Sequence, residues 1–258
     1  EFTYARSRRR RCAFLEYLPA MKVSRFFYLF ITLLSTTFLP LRAQVLIPMD
    51  AENQSDHLKA YGLMFEAIES GYDCHWLLNH RGGSFAILNG DQNLIRRALL
   101  KGVSYESTSA EELIQLLASL KSPERNTNTV QLEKVPKVAV YSPPGKQPWD
   151  DAVTLVLTYA EIPFTTIYDR EVLEGDLEEF DWLHLHHEDF TGQYGKFYGS
   201  YRDAAWYINQ KASFEAEARA LGYNKVSDQK GAVARRIASF VKQGGFLFAM
   251  CSATDSYD

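Results

Sequence analysis

Cysteine and histidine are both scarce in this chain of 258 residues. There are three cysteines, at positions 12, 74 and 251, and six histidines, all of which precede Cys251. Only Cys74 and Cys251 fall in the part of the chain expected to fold, so a framework of several disulfides is excluded. One bridge between them and two separate buried thiols remain equally open. A phosphate-binding loop is also lacking: Gly145-Lys146 has neither the Ser or Thr after the lysine nor the earlier glycine that such a loop needs. Positive charge is missing from the body of the chain. The formal net charge is −4, and residues 1–43, with eight basic and two acidic groups, hold +6 of it, which leaves −10 on residues 44–258. An acidic body argues against nucleic acid or an anionic membrane as the main partner. The basic run Arg8-Arg9-Arg10-Arg11 lies outside that body. A membrane span is lacking too. The apolar, uncharged run 26–39 is shorter than the roughly 20 residues that a span requires.

The order of features around that run is that of a secretory signal peptide. Met21 is followed by Lys22 and Arg25, then the apolar run, then Leu41-Arg42-Ala43 with a small residue before Gln44. No cysteine follows the apolar run at a position suited to lipid attachment. Residues 21–43 are therefore expected to be a signal peptide, residues 1–20 translated upstream sequence, and the mature chain to begin at Gln44 in a periplasmic or secreted location. The composition, 46% hydrophobic and 23% charged, is that of a globular protein with core enough for one large or two small domains.

Residues 44–122 read as a first α/β part. Val45-Leu46-Ile47-Pro48 is a short buried strand, residues 55–69 a helix stopped by Gly71, and residues 74–78 a second strand. Together they predict a right-handed βαβ unit. Arg81-Gly82-Gly83-Ser84 is either a tight loop or an anion-binding nest of amides. Helices are expected near 91–100 and 110–120, with an edge strand at 103–106. Residues 123–134 are polar and read as a linker.

Residues 135–258 alternate strand and helix: strands at 137–141, 164–168, 181–186 and 246–250, and helices ending near 160, over 204–220 and before Gly244-Gly245. The acidic run 171–179 reads as a solvated face. Such alternation predicts a mostly parallel sheet flanked by helices. In that topology the loops after the strands emerge at one edge, so residues 142–149, 186–194 and 251–255 should meet there and form a cleft.

Those loops carry the chemistry. Cys251 ends an apolar strand, with Ala249 and Ala253 two residues away on either side. Small residues there suit the sharp turn of a nucleophile elbow, where backbone amides, that of Ser252 among them, can hold an oxyanion and lower the thiol pKa. An inert thiol at a strand end has the same spacing. His184-Leu185-His186-His187-Glu188-Asp189 is the densest polar cluster. It could supply an acid or base from His186 or Glu188, hold a metal, or be structural. His187, Asp189, Lys146, Trp149, Tyr194, Ser252, Thr254 and Asp255 complete the lining of the expected cleft. Tyr194, Phe197, Tyr198, Tyr201, Trp206 and Tyr207 form an aromatic belt, suited to sugar or peptide faces or simply to packing a long loop.

Gly244-Gly245-Phe246-Leu247-Phe248-Ala249-Met250-Cys251 resembles the nucleophile strand of class I glutamine amidotransferase-like domains, a superfamily that includes ThuA-like proteins. The elbow here is Ala249-Met250-Cys251-Ser252-Ala253, where that superfamily usually has Gly-x-Cys-x-Gly. The resemblance implies a flavodoxin-like sheet with Cys251 as nucleophile. In that superfamily the activating His and Glu follow the Cys, so the domain at 135–258 is expected to be truncated at its C-terminus. A longer set of strings resembles an exported bacterial family that carries the label asparagine synthetase B. These are Val45-Leu46-Ile47-Pro48-Met49-Asp50, His57-Leu58-Lys59-Ala60-Tyr61-Gly62, Pro143-Pro144-Gly145-Lys146-Gln147-Pro148-Trp149-Asp150-Asp151 and residues 184–195. The label implies glutamine-dependent asparagine synthesis, but the Ser-Gly-Gly-x-Asp-Ser loop of such enzymes is not matched by Arg81-Gly82-Gly83-Ser84. The resulting expectations are a Cys-dependent amide or ester hydrolase, a non-catalytic domain for a small molecule, sugar or peptide, and, by label alone, an asparagine synthetase. None of them calls for a cofactor.

Overall fold

The computed structural model of the chain describes residues 43–143, 152–185, 197–250 and 253–254. They build two sheets within one unit, Arg42–Asp258. No helix among the described residues is long and apolar enough to cross a membrane.

The first sheet holds β1 (Ala43–Ile47), β2 (Asp73–Leu78), β3 (Phe85–Gly90), β4 (Glu106–Thr108) and β5 (Asn128–Leu132) in the order β4-β1-β3-β2-β5. Every neighbouring pair is antiparallel. Helix α1 (His57–Glu69) connects β1 to β2, and α2 (Gln92–Lys101) connects β3 to β4. With β3 between the parallel strands β1 and β2, the expected βαβ unit takes a split form, which the sequence reading did not include. The physical reason is the turn between β2 and β3. Asn79, Arg81, Gly82 and Gly83 all take positive φ, which reverses the chain tightly enough to bring residues 85–90 back as a strand. Those residues alternate between the two faces. Phe85 and Ile87 join the core under α1 and α2, while Ala86 and Leu88 join Leu113 and Leu120 of α3 (Ala110–Leu120) on the other side.

Local signals set the helix ends. Asp56 caps α1 by accepting from the Lys59 amide at 3.0 Å, Asp91 caps α2 through Leu94 at 2.9 Å, and Ser109 with Glu112 forms a reciprocal capping box on α3. The edge strand expected at 103–106 lies at Glu106–Thr108. The stretch read as a linker contains β5, which pairs along β2.

The second sheet holds β6 (Val138–Tyr141), β7 (Phe164–Ile167), β8 (Trp182–Leu185) and β9 (Phe246–Ala249) in the order β7-β6-β8-β9, all parallel. Helix α4 (Ala152–Ala160) covers Val138 and Val140 through Leu157. The opposite face, with Ala139, Tyr141, Leu183 and Leu185, packs on Val172 of α5 (Asp169–Glu174) and on Val233, Ile237 and Phe240 of α8 (Val226–Lys242). Between these helices run α6 (Tyr198–Tyr201) and α7 (Ala205–Ala220). The acidic run expected as a solvated face is α5 plus a 3-10 turn, Asp176–Glu179; it also buries Val172 and Leu177.

Helices α1 and α4 join the two halves. Gly62 lies against the end of α4 so closely that a Cβ placed on it would come within 1.7 Å of the Ala160 carbonyl oxygen. Beside this contact, Lys59 and Lys101 both pair with Glu161. The two lysines hold its carboxyl down at about 2.

Candidate functional site

The parallel sheet brings three strand ends level. Tyr141, the last residue of β6, stands opposite Leu185 of β8, and Leu185 stands opposite Ala249 of β9. The Met250 amide donates to the Leu185 carbonyl at 3.0 Å and extends the alignment past β9. The loops predicted to converge therefore all leave from one edge. Most of the residues predicted to act there lie outside the described residues: Cys251, Ser252, Asp255, His186, His187, Glu188, Asp189, Lys146, Trp149 and Tyr194. Thr254 is described and exposed in a single turn, next to the fully buried Ala253. His184 is buried and stacks on Phe248 with ring centroids 5.4 Å apart.

Below that edge lies a polar cluster that the sequence reading did not single out. Tyr141 ends β6, Tyr168 and Asp169 follow β7, and Gln229 and Lys230 lie in the first turns of α8. Strand alternation turns Tyr141 toward α8, on the same face as Ala139. Asp169 and Lys230 are only 2% and 7% exposed. The Lys230 Nζ donates to Asp169 Oδ1 at 2.9 Å, to the Tyr168 hydroxyl at 3.0 Å and to the Tyr141 hydroxyl at 3.2 Å, and lies 2.8 Å from Asp169 Oδ2. Tyr141 also donates to Asp169, and Gln229 Nε2 donates to Asp169 Oδ2 at 2.8 Å. The ammonium faces three rings, with centroids at 4.4 Å (Tyr168), 5.6 Å (Phe214) and 5.8 Å (Tyr141). A charge removed from water this far needs such partners to remain ionised. A signal for it exists in the sequence: Lys230 interrupts the apolar stripe Val226, Val233, Ile237, Phe240 at helical spacing.

The other candidates resolve more simply. The amides of Gly83 and Ser84 both donate to the His80 carbonyl, at 3.0 and 2.9 Å. Arg81 forms a fork on Glu106 with two bonds of 2.8 Å. The Arg81-Gly82-Gly83-Ser84 string is thus a tight hairpin turn whose polar groups serve the fold, not an anion nest. Cys74 is a free thiol, wholly buried on β2, and burial pushes it up to about 12. From the aromatic belt, Phe197, Tyr201 and Trp206 are exposed and in mutual ring contact, with Tyr201 and Trp206 at 5.3 Å, while the exposed Tyr198 meets the buried Tyr207. Two open depressions, of about 250 and 260 Å³, lie at the opposite, amino-terminal edge of the parallel sheet, near Val138, Phe164 and Asp181. They hold no nucleophile–base pair, so the chemistry expected of the carboxyl edge does not transfer to them. Among the described residues no group of three or more His, Cys, Asp or Glu side chains converges as a metal site would require.

In comparisons with known proteins, no family model matches the chain, and no match is found among curated proteins or among solved structures.

Proposed function

We propose that this chain is an exported, amidotransferase-like α/β protein that hydrolyses an amide or ester at the carboxyl edge of its parallel sheet. Cys251 is the nucleophile, the Ser252 amide stabilises the oxyanion, and His186 or Glu188 acts as acid or base. Thr254, Asp255, His187, Asp189, Lys146, Trp149 and Tyr194 contact the ligand. The observation that carries the reading is the level register of Tyr141, Leu185 and Ala249. Loops far apart in the chain leave from neighbouring points, where open parallel sheets bind their ligands. The order β7-β6-β8-β9 corresponds to 2-1-3-4 of a flavodoxin-like sheet. The same reading makes the sheet incomplete at β9. Phe246 and Phe248 are 58% and 45% exposed on one face, although Phe246-Leu247-Phe248-Ala249 reads as a strand buried on both sides. A further strand and helix would cover them.

Labelling with a thiol-reactive probe at pH 8 tests this. In the chain from Gln44 onward, which lacks Cys12, Cys74 stays protonated and buried, so a single fast-reacting site, lost in Cys251→Ala, is expected in the folded protein. If Cys251 reacts only as fast as an unfolded thiol, the nucleophile assignment fails. A second reading, a non-catalytic sugar- or peptide-binding domain, is favoured by the exposed rings of Tyr198, Tyr201 and Trp206; Cys251→Ala would then leave ligand affinity intact. The synthetase label requires asparagine to form from aspartate, glutamine and ATP, and none is expected.

A further inference from the structure

The surroundings of the Lys230 ammonium match what selects a primary ammonium ion in general. A carboxylate accepts from it, two hydroxyls take the remaining donors, and aromatic rings close over the charge. Here the carboxylate is Asp169, the hydroxyls are those of Tyr141 and Tyr168, and the rings are those of Tyr168, Phe214 and Tyr141. The walls come from three separate elements: Tyr141 from β6, Tyr168 and Asp169 from the N-cap and first residue of α5, and Phe214 from α7. Asp169 is held in place without Lys230, because Tyr141 and Gln229 both donate to it. The walls are therefore supported independently of the group they enclose.

We propose that this cluster is an ammonium-recognition site and that Lys230 is its tethered ligand. The lysine keeps the site filled, and shortening it opens the site to a free primary alkylammonium ion. The inference does not depend on Cys251 or on any hydrolytic activity. Lys230→Ala deletes three methylenes and the amine, the equivalent of one propylammonium ion. A tethered group competes at an effective concentration far above that of most free ligands, so the unaltered protein should ignore added amine.

The experiment is thermal unfolding of the full chain, its Lys230→Ala variant and its Lys230→Met variant, each in propylammonium chloride, in potassium chloride of equal ionic strength, and in 1-propanol. The Tm of Lys230→Ala should fall below that of the parent and rise again with propylammonium. Above the dissociation constant, each tenfold increase in amine should add an equal increment. Potassium chloride and propanol should give no comparable rise, and neither the parent nor Lys230→Met, whose stem still fills the site, should respond. Adding Asp169→Asn to Lys230→Ala should abolish the rise. If Lys230→Ala does not fold alone, its yield on refolding with propylammonium against potassium chloride gives the same reading. A variant that responds equally to propanol, or not to amine at all, overturns the proposal, because its cavity is then merely apolar or has collapsed.

Discussion

Asp169 and Lys230 meet across 61 residues of chain, and each removes the other's reason to be solvated. Deleting one partner leaves a buried charge with its desolvation uncompensated, which costs about 3–5 kcal/mol, whereas replacing both by apolar groups of similar shape is often close to neutral. Asp169→Ala alone should therefore be strongly destabilised in urea denaturation. The double variant Asp169→Ala with Lys230→Met should regain much of the loss, a coupling of about 1–3 kcal/mol. Additive losses would mean that the two side chains stabilise the fold through separate contacts. A lysine inside an apolar helical stripe is visible in the sequence. Its partner is not, because Asp169 stands just before the acidic run 171–179, which reads as a solvated face.

At the scale of elements, what was legible followed from periodicity. The alternation of short apolar strands with amphipathic helices over residues 135–250 places β6 to β9 and α4, α7 and α8 close to where they lie, and parallel pairing follows from the connections. The first sheet was less legible for two physical reasons. Residues 85–90 follow a glycine-rich turn that also suits a binding loop, and β5 is an exposed, polar edge strand, Asn128-Thr129-Val130-Gln131-Leu132, whose composition is that of a linker. Gly62 shows a similar ambiguity within α1. A mid-helix glycine is about 1 kcal/mol worse than alanine, so helix propensity alone favours Gly62→Ala. The structure reverses that sign, because the new methyl group would fall on the Ala160 carbonyl and the two helices would have to separate. A net loss of about 1–3 kcal/mol is expected, measured as a lower urea midpoint. A variant as stable as the parent would place α1 and α4 further apart than described.

For the molecule as a whole, the junction between its two halves depends on charge as well as on shape. Glu161 accepts from Lys59 at 2.7 Å and from Lys101, and Lys101 also pairs with Glu66 at 2.7 Å. The carboxyl of Glu161 is held at about 2, against an ordinary 4.5. A carboxyl with a depressed folded pKa contributes stability in full above its unfolded value and loses it as pH falls through the folded one. The window is therefore about pH 4.5 down to 2. Glu161 is half exposed, so solvent screening limits the contribution to about 1 kcal/mol or less. Urea midpoints of the parent and of Glu161→Gln, measured from pH 7 to pH 2, should differ by a constant amount above pH 5, with the parent the more stable. They should converge as the window is crossed and coincide at its acid end. Raising the ionic strength at pH 7 should narrow the gap without closing it, since Lys101 is largely buried beside its partners. A gap that persists unchanged to pH 2 would trace the effect of the substitution to packing at the end of α4, and the ion pairs would then contribute nothing to holding the two sheets together.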